Sequence, residues 1–525
     1  MNAVTLPSHP SPNLITSAIS RAGITGITAK QLAEVTRLPE NEIHGQLDLL
    51  ATTKKIARIG RGLWVLHKYA VLDPSEEKFR GPAWYFQKFE SDFELKVGSH
   101  NGEIQFNPNE RRPVHRWWPY VQGFAASFVE FACKRYRVGP GSVVLDPFCG
   151  SGTVPVTARM LGAQGIGIDM MPIASYVAEA KTEWGADPKR LLETAKKVVV
   201  AHRVPTNWTP FLKETKRQFA PPVLDSLLRL RASVWALREG PIKTLLKLAF
   251  ANILIDSSNL KRAPCLGYTR KLGLTEDTPR NLFLTSARRI AEDLQSMKMR
   301  RQTWGPPADI RLGSSAVIRL PENTVDLAIT SPPYVNGLDY VMNYKIDLAW
   351  MGFVNSYHEL ASLRASMVAC DNIPKGTAAT HAPSETVLSD DWLNYVTRTI
   401  DQNIQTKGSY RRDDMHAIVT KYFDDLVPVM KNVLFALKPG SRFVVVNGDS
   451  LIAGTYIPGD MIFARLAEKT GFIVEAFDIA RNRRSGQRRG FLLRESVLTL
   501  RKPGPYMPPH LVKDQNVLDG FATES

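Results

Sequence analysis

Two short loops carry residue types on which chemistry could be built. Asp146-Pro147-Phe148-Cys149-Gly150-Ser151-Gly152-Thr153 closes one run of Val and Leu, and Thr330-Ser331-Pro332-Pro333-Tyr334 closes another apolar run. In the first loop the glycines let the backbone turn tightly and leave room for a ligand beside the following helix. One helix later the stretch GIGIDM presents Asp169, whose carboxylate can accept hydrogen bonds from both ribose hydroxyls of a nucleoside. The third glycine of GxGxxG is absent, which argues against a dinucleotide site. In the second loop Ser331 supplies a hydroxyl oxygen and Pro332 a carbonyl, two acceptors able to hold both hydrogens of an amino group. The prolines fix φ and remove N–H donors, so those acceptors are presented rigidly. An aryl amine held this way becomes tetrahedral and nucleophilic, because its lone pair is drawn out of conjugation with the ring. Tyr334 adds an aromatic face on which an extruded base can stack.

These loops need a sheet to hold them. GPGSVVLDPFCGSGT reads as turn, buried strand, glycine loop and helix start, and GIGIDM after the helix completes a β-α-β unit and a parallel sheet. ADIRLGSS and VDLAITSPPY read as two more strands. A helix at 421–436, the turn LKPGS, strand RFVVVNG, helix MIFARLAEKTG and strands IVEAFDIA and SVLTLRK restore the α/β rhythm at the end. The expected fold is therefore α/β, a Rossmann-like sheet with helices on both faces, built from residues 113–190 and 305–502. Residues 190–304 read as a helical insertion and 355–420 as a polar, mobile insertion. Before the sheet, a helix is expected over 121–136, after the Trp-Trp-Pro-Tyr stretch. Residues 71–112 have no clear periodicity and read as a linker. Residues 1–70 suggest three short helices and a hairpin, a winged-helix-like DNA-binding module. In it Thr28 is an N-cap and Pro39–Ala51 the helix placed to enter a groove. The ends, residues 1–12 and those after Pro503, read as disordered.

Composition narrows the class. A formal net charge of +16 suits a polyanionic partner, since phosphate contacts release counterions. No apolar run approaches the ~20 residues of a membrane helix, and the start lacks the pattern of a secretory signal. Cys133, Cys149, Cys265 and Cys370 show no CxxC spacing, which points to a reduced, cytoplasmic protein without structural zinc. RNRRSGQRRGFLLRESVLTLRK, residues 481–502, has eight basic residues against Glu495 and reads as a loop for phosphate contact, with Arg411 and Arg412 as further candidates.

DPFCGSGT and TSPPY resemble the cofactor-binding and catalytic motifs of amino-group DNA methyltransferases, a Rossmann-like family with a seven-stranded sheet. The resemblance covers 110–190 and 305–502. It implies S-adenosyl-L-methionine as cofactor, with Phe148, Gly150 and Gly152 along its methionine part, Asp146 and Thr153 in the same loop, and Asp169 on its ribose. HRWWPYVQGF resembles the family's N-terminal cofactor motif, with Trp118, Pro119 and Tyr120 closing over the methionine end. Ser331, Pro332, Pro333 and Tyr334 form the catalytic loop by the same resemblance. Double-stranded DNA is then the substrate, a cognate restriction or defence protein a partner, and transfer to a flipped base proceeds without metal or covalent intermediate.

The chain departs from the family in three ways. Gly313-Ser314 stands where an acidic residue often meets the adenine amino group, so Ser314 takes that place in the cofactor set. The cofactor motif precedes the catalytic one, unlike the permuted members. The helical insertion falls between the second and third strands. SPPY leans toward cytosine N4 over adenine N6. A C5 enzyme is disfavoured because the lone Pro-Cys, Pro264-Cys265, lies in the helical insertion. Two other readings stay open: a tRNA amino-methyltransferase, whose usual Asp before the prolines is here Ser331, and a DNA-binding regulator on an inactive methyltransferase fold.

Overall fold

The computed structural model describes residues 12–508 except 74–75, 92–103, 105–106, 121–122, 202–206, 263–264, 301–302, 338, 371–372, 375, 379, 408–409, 411 and 485–491. Arg411, Pro264, most of both chain ends and the centre of the Arg-rich stretch thus lie outside the described residues.

Seven strands form the central sheet: β1 (Val143–Asp146), β2 (Gln164–Asp169), β3 (Asp309–Leu312), β4 (Val325–Thr330), β5 (Leu437–Gly448), β6 (Ile473–Arg484) and β7 (Leu492–Arg501). Their order is β3-β2-β1-β4-β5-β7-β6. The first five run parallel, and β7 is antiparallel to both of its neighbours. Successive residues point to opposite faces of a strand. Accordingly Val144, Leu327, Ile329, Val444 and Val446 enter the core under helices Ala126–Arg135 and Thr153–Met160. Leu145, Ala328, Phe443 and Val445 enter the opposite core, under helices Met415–Ala436 and Gly459–Thr470. Burial on both faces explains why these strands read as continuous apolar runs.

The insertion between β2 and β3 is helical, as its pattern indicates: Pro188–Val200, Pro221–Trp235, Pro241–Ile253 and the long Asp277–Met299. A short hairpin, Leu260–Arg262 with Leu266–Tyr268, interrupts it. Its core is not its own. Trp350, which follows the catalytic loop in sequence, is fully buried there with its ring 5.2 Å from Phe219 and 5.9 Å from Trp208.

Three expectations need correction. Residues 355–420 contain helices Tyr357–Ser366, Glu385–Leu388 and Asp391–Lys407, with Trp392, Leu393, Val396 and Ile400 buried in the main core. Polar residues dominate their outer face, which masked the periodicity. Within the expected linker, strands Val71–Asp73 and Glu76–Arg80 pair and helix Pro82–Glu90 docks through Phe86. The helix expected at 121–136 begins only at Ala126. A small hairpin, Ser450–Ile452 with Thr455–Ile457, was not apparent in the sequence.

The N-terminal module has helices Pro12–Ala22, Ala29–Thr36 and Glu40–Thr52 against a three-stranded sheet. Thr28 caps the second helix in a reciprocal capping box with Gln31. The helix read as groove-entering exposes Glu40, Glu42 and Asp48 and contains no Lys or Arg. That charge repels phosphate. Of the module's exposed cations, Lys54, Lys55 and Arg58 lie on and before strand Ile56–Ile59.

The basic stretch 481–502 also departs from expectation, because its described arginines are engaged internally. Arg481 pairs with Glu495, Arg483 donates to the Asp449 carbonyl, and Arg501 pairs with Glu475. Arg412 is likewise held by Asp414 and the Ile373 carbonyl. Arg494 is fully buried and forks onto Asp460, with both bonds at 2.9 Å. Asp449 lies 3.2 Å from the same guanidinium, and the Phe86 ring covers it with its centre at 4.8 Å. Removing one partner of a buried ion pair leaves an uncompensated charge, at a cost of ~3–5 kcal/mol. Arg494→Met should therefore lower unfolding stability by about that amount in chemical denaturation. A loss below ~1 kcal/mol would show that Asp449 and Asp460 do not need the cation.

Candidate functional site

The carboxyl ends of parallel strands leave a crevice where their connections diverge. Here it is a cavity of about 320 Å³ lined by residues that follow β1, β2, β3 and β4. Of the fourteen cofactor and catalytic candidates singled out in the sequence, nine line it: Tyr120, Asp146, Phe148, Gly150, Thr153, Asp169, Ser314, Ser331 and Pro333. Trp118, Pro119, Gly152, Pro332 and Tyr334 do not.

The two loops meet because β1 and β4 are neighbours. Asp146 ends β1 and Thr330 ends β4, and the Thr330 hydroxyl donates to Asp146 Oδ1 at 2.7 Å. Phe148 N–H donates to the same oxygen at 3.0 Å, which folds the glycine loop back over the strand end. Burial pushes the Asp146 carboxyl up to about 7, against the pull of those two donors. Gly150 and Gly152 adopt left-handed φ of 50° and 85°. A Cβ on Gly152 would come within 2.8 Å of Ala178 Cβ, and one on Gly150 within 2.9 Å of the Tyr120 ring. Gly152 is therefore a packing residue that lets two helices close, whereas Gly150 borders the cavity itself.

Asp169 is held from both sides. Its Oδ2 accepts from Gly150 N–H and its Oδ1 from Met171 N–H, each at 2.8 Å. Burial raises this carboxyl to about 6, opposed by those backbone bonds. Each oxygen retains a lone pair for a further donor from the cavity.

The wall opposite the glycine loop comes from the 113–124 segment. Val114 sits at a left-handed φ of 66°, a strained value for a β-branched residue. Asp293, on the insertion helix Asp277–Met299, holds that turn closed. Its Oδ2 accepts from Val114 N–H at 2.9 Å and Trp117 Nε1 at 2.8 Å, and Arg116 forks onto both oxygens. Trp118 is buried behind the wall, and its carbonyl accepts from Lys181 Nζ at 3.1 Å. Tyr120 reaches the cavity, stacked on Tyr344 at 5.5 Å and 13°. The Arg262 guanidinium lies 4.1 Å from the centre of the Tyr344 ring. It is tied to Asp347 and to the Asn343 carbonyl.

In the SPPY loop, Ser331 and Pro333 face the cavity and Pro332 is buried. The Pro333 carbonyl is taken by the Tyr422 hydroxyl at 2.7 Å. Tyr334 turns its hydroxyl onto Glu495 Oε1 at 2.9 Å, and Gly448 leaves room for its ring. Burial and Glu495 push the phenol well up.

Sequence reasoning missed the far wall. Lys421, Asp424, Asp425, Pro428 and Val429 line the cavity from one face of helix Met415–Ala436, at helical spacing. His381 bonds Asp424 at 2.7 Å, and Lys421 bonds Asp425 at 2.6 Å. The signal was present as an Asp-Asp pair inside a strongly apolar helix.

A crevice of mixed polar and apolar lining, with Asp169 and the glycine loop both on its wall, fits an adenosyl ligand with an amino-acid tail. Asp169 would hold the ribose, Phe148 and Gly150 the tail, and Ser314 the base end. A carboxylate accepts hydroxyl donors better than a carboxylic acid does. Affinity for S-adenosylhomocysteine should thus be greatest above about pH 7 and fall as the pH drops through about 6. Calorimetry across that window checks this; Asp169→Asn should bind weakly throughout and lose the decline near 6.

Known proteins point the same way. The N6/N4 DNA methylase family matches residues 131–180, which span β1, the glycine loop and β2. Type II methyltransferase M.BsoBI of Geobacillus stearothermophilus is 26% identical over 420 residues, 70% of this chain and 80% of that protein. Type II methyltransferase M.AvaI of Anabaena variabilis is 24% identical over 74% of this chain and 85% of its own length. Type II methyltransferase M.MvaI of Kocuria varians is 23% identical over 71% and 85%. With its glycine loop and SPPY loop joined at one crevice, the chain is similar to the amino-group DNA methyltransferases, and its cofactor is S-adenosyl-L-methionine.

Proposed function

We propose that the protein is a site-specific DNA methyltransferase acting on the exocyclic amino group of a base extruded from double-stranded DNA. Cytosine N4 is the preferred target over adenine N6, and the setting is restriction-modification, with a cognate restriction protein as partner. The observation that carries this reading is the Thr330–Asp146 bond, which sets Ser331 and Pro333 in the same cavity as Asp169. The likeness to three Type II methyltransferases along most of their length supports the DNA substrate. The serine before the prolines supports cytosine.

When bound, S-adenosyl-L-methionine supplies an electrophilic methyl group. The residues of this chain do the rest. Ser331 Oγ, the acceptor of this loop that lines the cavity, takes an amino hydrogen and helps turn the nitrogen lone pair toward the glycine loop. The Tyr422 bond to the Pro333 carbonyl and the two fixed proline φ angles keep that acceptor from relaxing. Tyr334, anchored by Glu495, holds the loop from behind the cavity lining. Asp169 and Tyr120 fix the donor on the other side. The gain comes from orientation, which converts an encounter of two molecules into a reaction within one complex. The N-terminal module serves as a winged-helix-like accessory whose basic strand edge, with Lys54, Lys55 and Arg58, meets DNA in place of its acidic helix.

Incubation with labelled S-adenosylmethionine and duplex DNA or tRNA, then digestion and mass spectrometry, tests the class. N4-methylcytosine in DNA is expected; N6-methyladenine would correct the base, and label confined to tRNA would overturn the DNA reading. Ser331→Ala should cut methyl transfer by roughly a hundred-fold or more, the scale seen when one positioned hydrogen-bonding group is removed from a transition state. Its S-adenosylhomocysteine affinity should stay near the wild-type value. Asp169→Ala should instead weaken that affinity by ~1.5–3 kcal/mol, the range for a hydrogen bond to a charged group.

A further inference from the structure

The short hairpin within the helical insertion has no role in the cavity, yet it is fixed to the cavity wall. Arg262, at the end of strand Leu260–Arg262, is tied to Asp347 and Asn343, on the two short helices that follow the catalytic loop. It also covers Tyr344, the ring that backs Tyr120. The hairpin therefore stands two aromatic layers from the cavity.

Its outer side is basic. Lys261 lies on one strand and Arg270 just past the other, both exposed. Helix Thr215–Gln218 joins them, because Asn259 N–H donates to the Gln218 carbonyl at 2.8 Å and Thr269 N–H to the Asn259 carbonyl at 3.0 Å. That helix adds exposed Lys216 and Arg217, and Arg217 lies 4.2 Å over the ring of the exposed Tyr268. The adjacent acid, Glu214, is turned aside onto the Tyr357 hydroxyl at 3.2 Å. Four exposed cations thus sit on the hairpin and on the helix hydrogen-bonded to it, and Arg217 covers the ring of Tyr268. By contrast, the described arginines of 481–502 are mostly committed to internal partners, and the expected groove helix is acidic.

We propose that this hairpin-and-helix surface is where the DNA backbone rests when a base occupies the cavity, with Lys216, Arg217, Lys261 and Arg270 meeting phosphates. The proposal rests on the DNA reading given above. Duplex DNA presents one negative charge per ~1.7 Å of axis, so an extruded base necessarily brings several phosphates to the cavity rim. Cations on a braced hairpin meet them at little ordering cost.

The test uses the full chain and a duplex oligonucleotide of mixed sequence. Dissociation constants are measured over a range of NaCl for the wild type and for the variant Lys216→Ala, Arg217→Ala, Lys261→Ala, Arg270→Ala. Each cation that meets a phosphate contributes about 0.9 to the slope of log K against log salt, so the variant's slope should fall by ~2–4. S-adenosylhomocysteine affinity should not change. A wild type that binds duplex together with an unchanged slope overturns the surface and leaves the DNA reading standing. A wild type that does not bind duplex at low salt overturns both. If the variant loses S-adenosylhomocysteine affinity, a thiol measurement on the otherwise native chain decides. Cys265 is exposed on the hairpin, whereas Cys133 and Cys149 are buried, so a Cys370→Ala background reports on it. Duplex DNA should slow maleimide modification of Cys265 several-fold; an unaltered rate overturns the proposal.

Discussion

The hydrogen bond from Thr330 to Asp146 is the contact on which the site depends. It is short, buried, and made between the last residues of two adjacent parallel strands. Each strand end launches a loop that reaches the same cavity, the glycine loop from one strand and the SPPY loop from the other. Parallel strands pair in register along their length but diverge at their ends, so register alone would leave the loops free to drift. The Thr330–Asp146 bond removes that freedom at the point of divergence. Because Asp146 also receives Phe148 N–H, a single carboxylate sets the origin of both loops.

Around this pair the walls are recruited from distant parts of the chain. Asp293 closes the 113–117 turn from 176 or more residues away in sequence and tolerates a strained Val114 in doing so. Tyr120, Tyr344 and Arg262 stack as layers of one wall though they come from three separate segments. The opposite wall is a single helical face carrying Lys421, Asp424 and Asp425. A methyl-transfer site needs an enclosed, dry space, and enclosure is a property of several segments at once. The sheet supplies the floor; the insertions supply the enclosure.

That division explains what could be read from the sequence. The floor was legible, since strand, loop and helix are local patterns, and DPFCGSGT, Asp169 and SPPY mark it with unusual residue types. Nine of the fourteen residues chosen as cofactor or catalytic candidates line the crevice. The enclosure was not legible, because Asp293, His381 and Asp425 gain their meaning only from long-range contacts. Charge was the weakest guide. Arg494 belongs to a run that looks like a phosphate-binding loop, yet it lies fully buried between Asp449 and Asp460. Counting arginines does not reveal which way they point. The helices of 357–407 were missed for a related reason, as their buried residues are spaced among many polar ones.

The burial of Trp350 among the rings of Phe219, Phe250 and Trp208 has a consequence for exchange between relatives. The insertion and the segment behind the catalytic loop share one packed interior, so neither is a cassette. Grafting residues 190–304 from a relative would bring in a half-core shaped for a different tryptophan environment. The transplantable unit is the insertion together with the segment around 341–360, and a change of specificity by recombination would have to carry both crossovers at once.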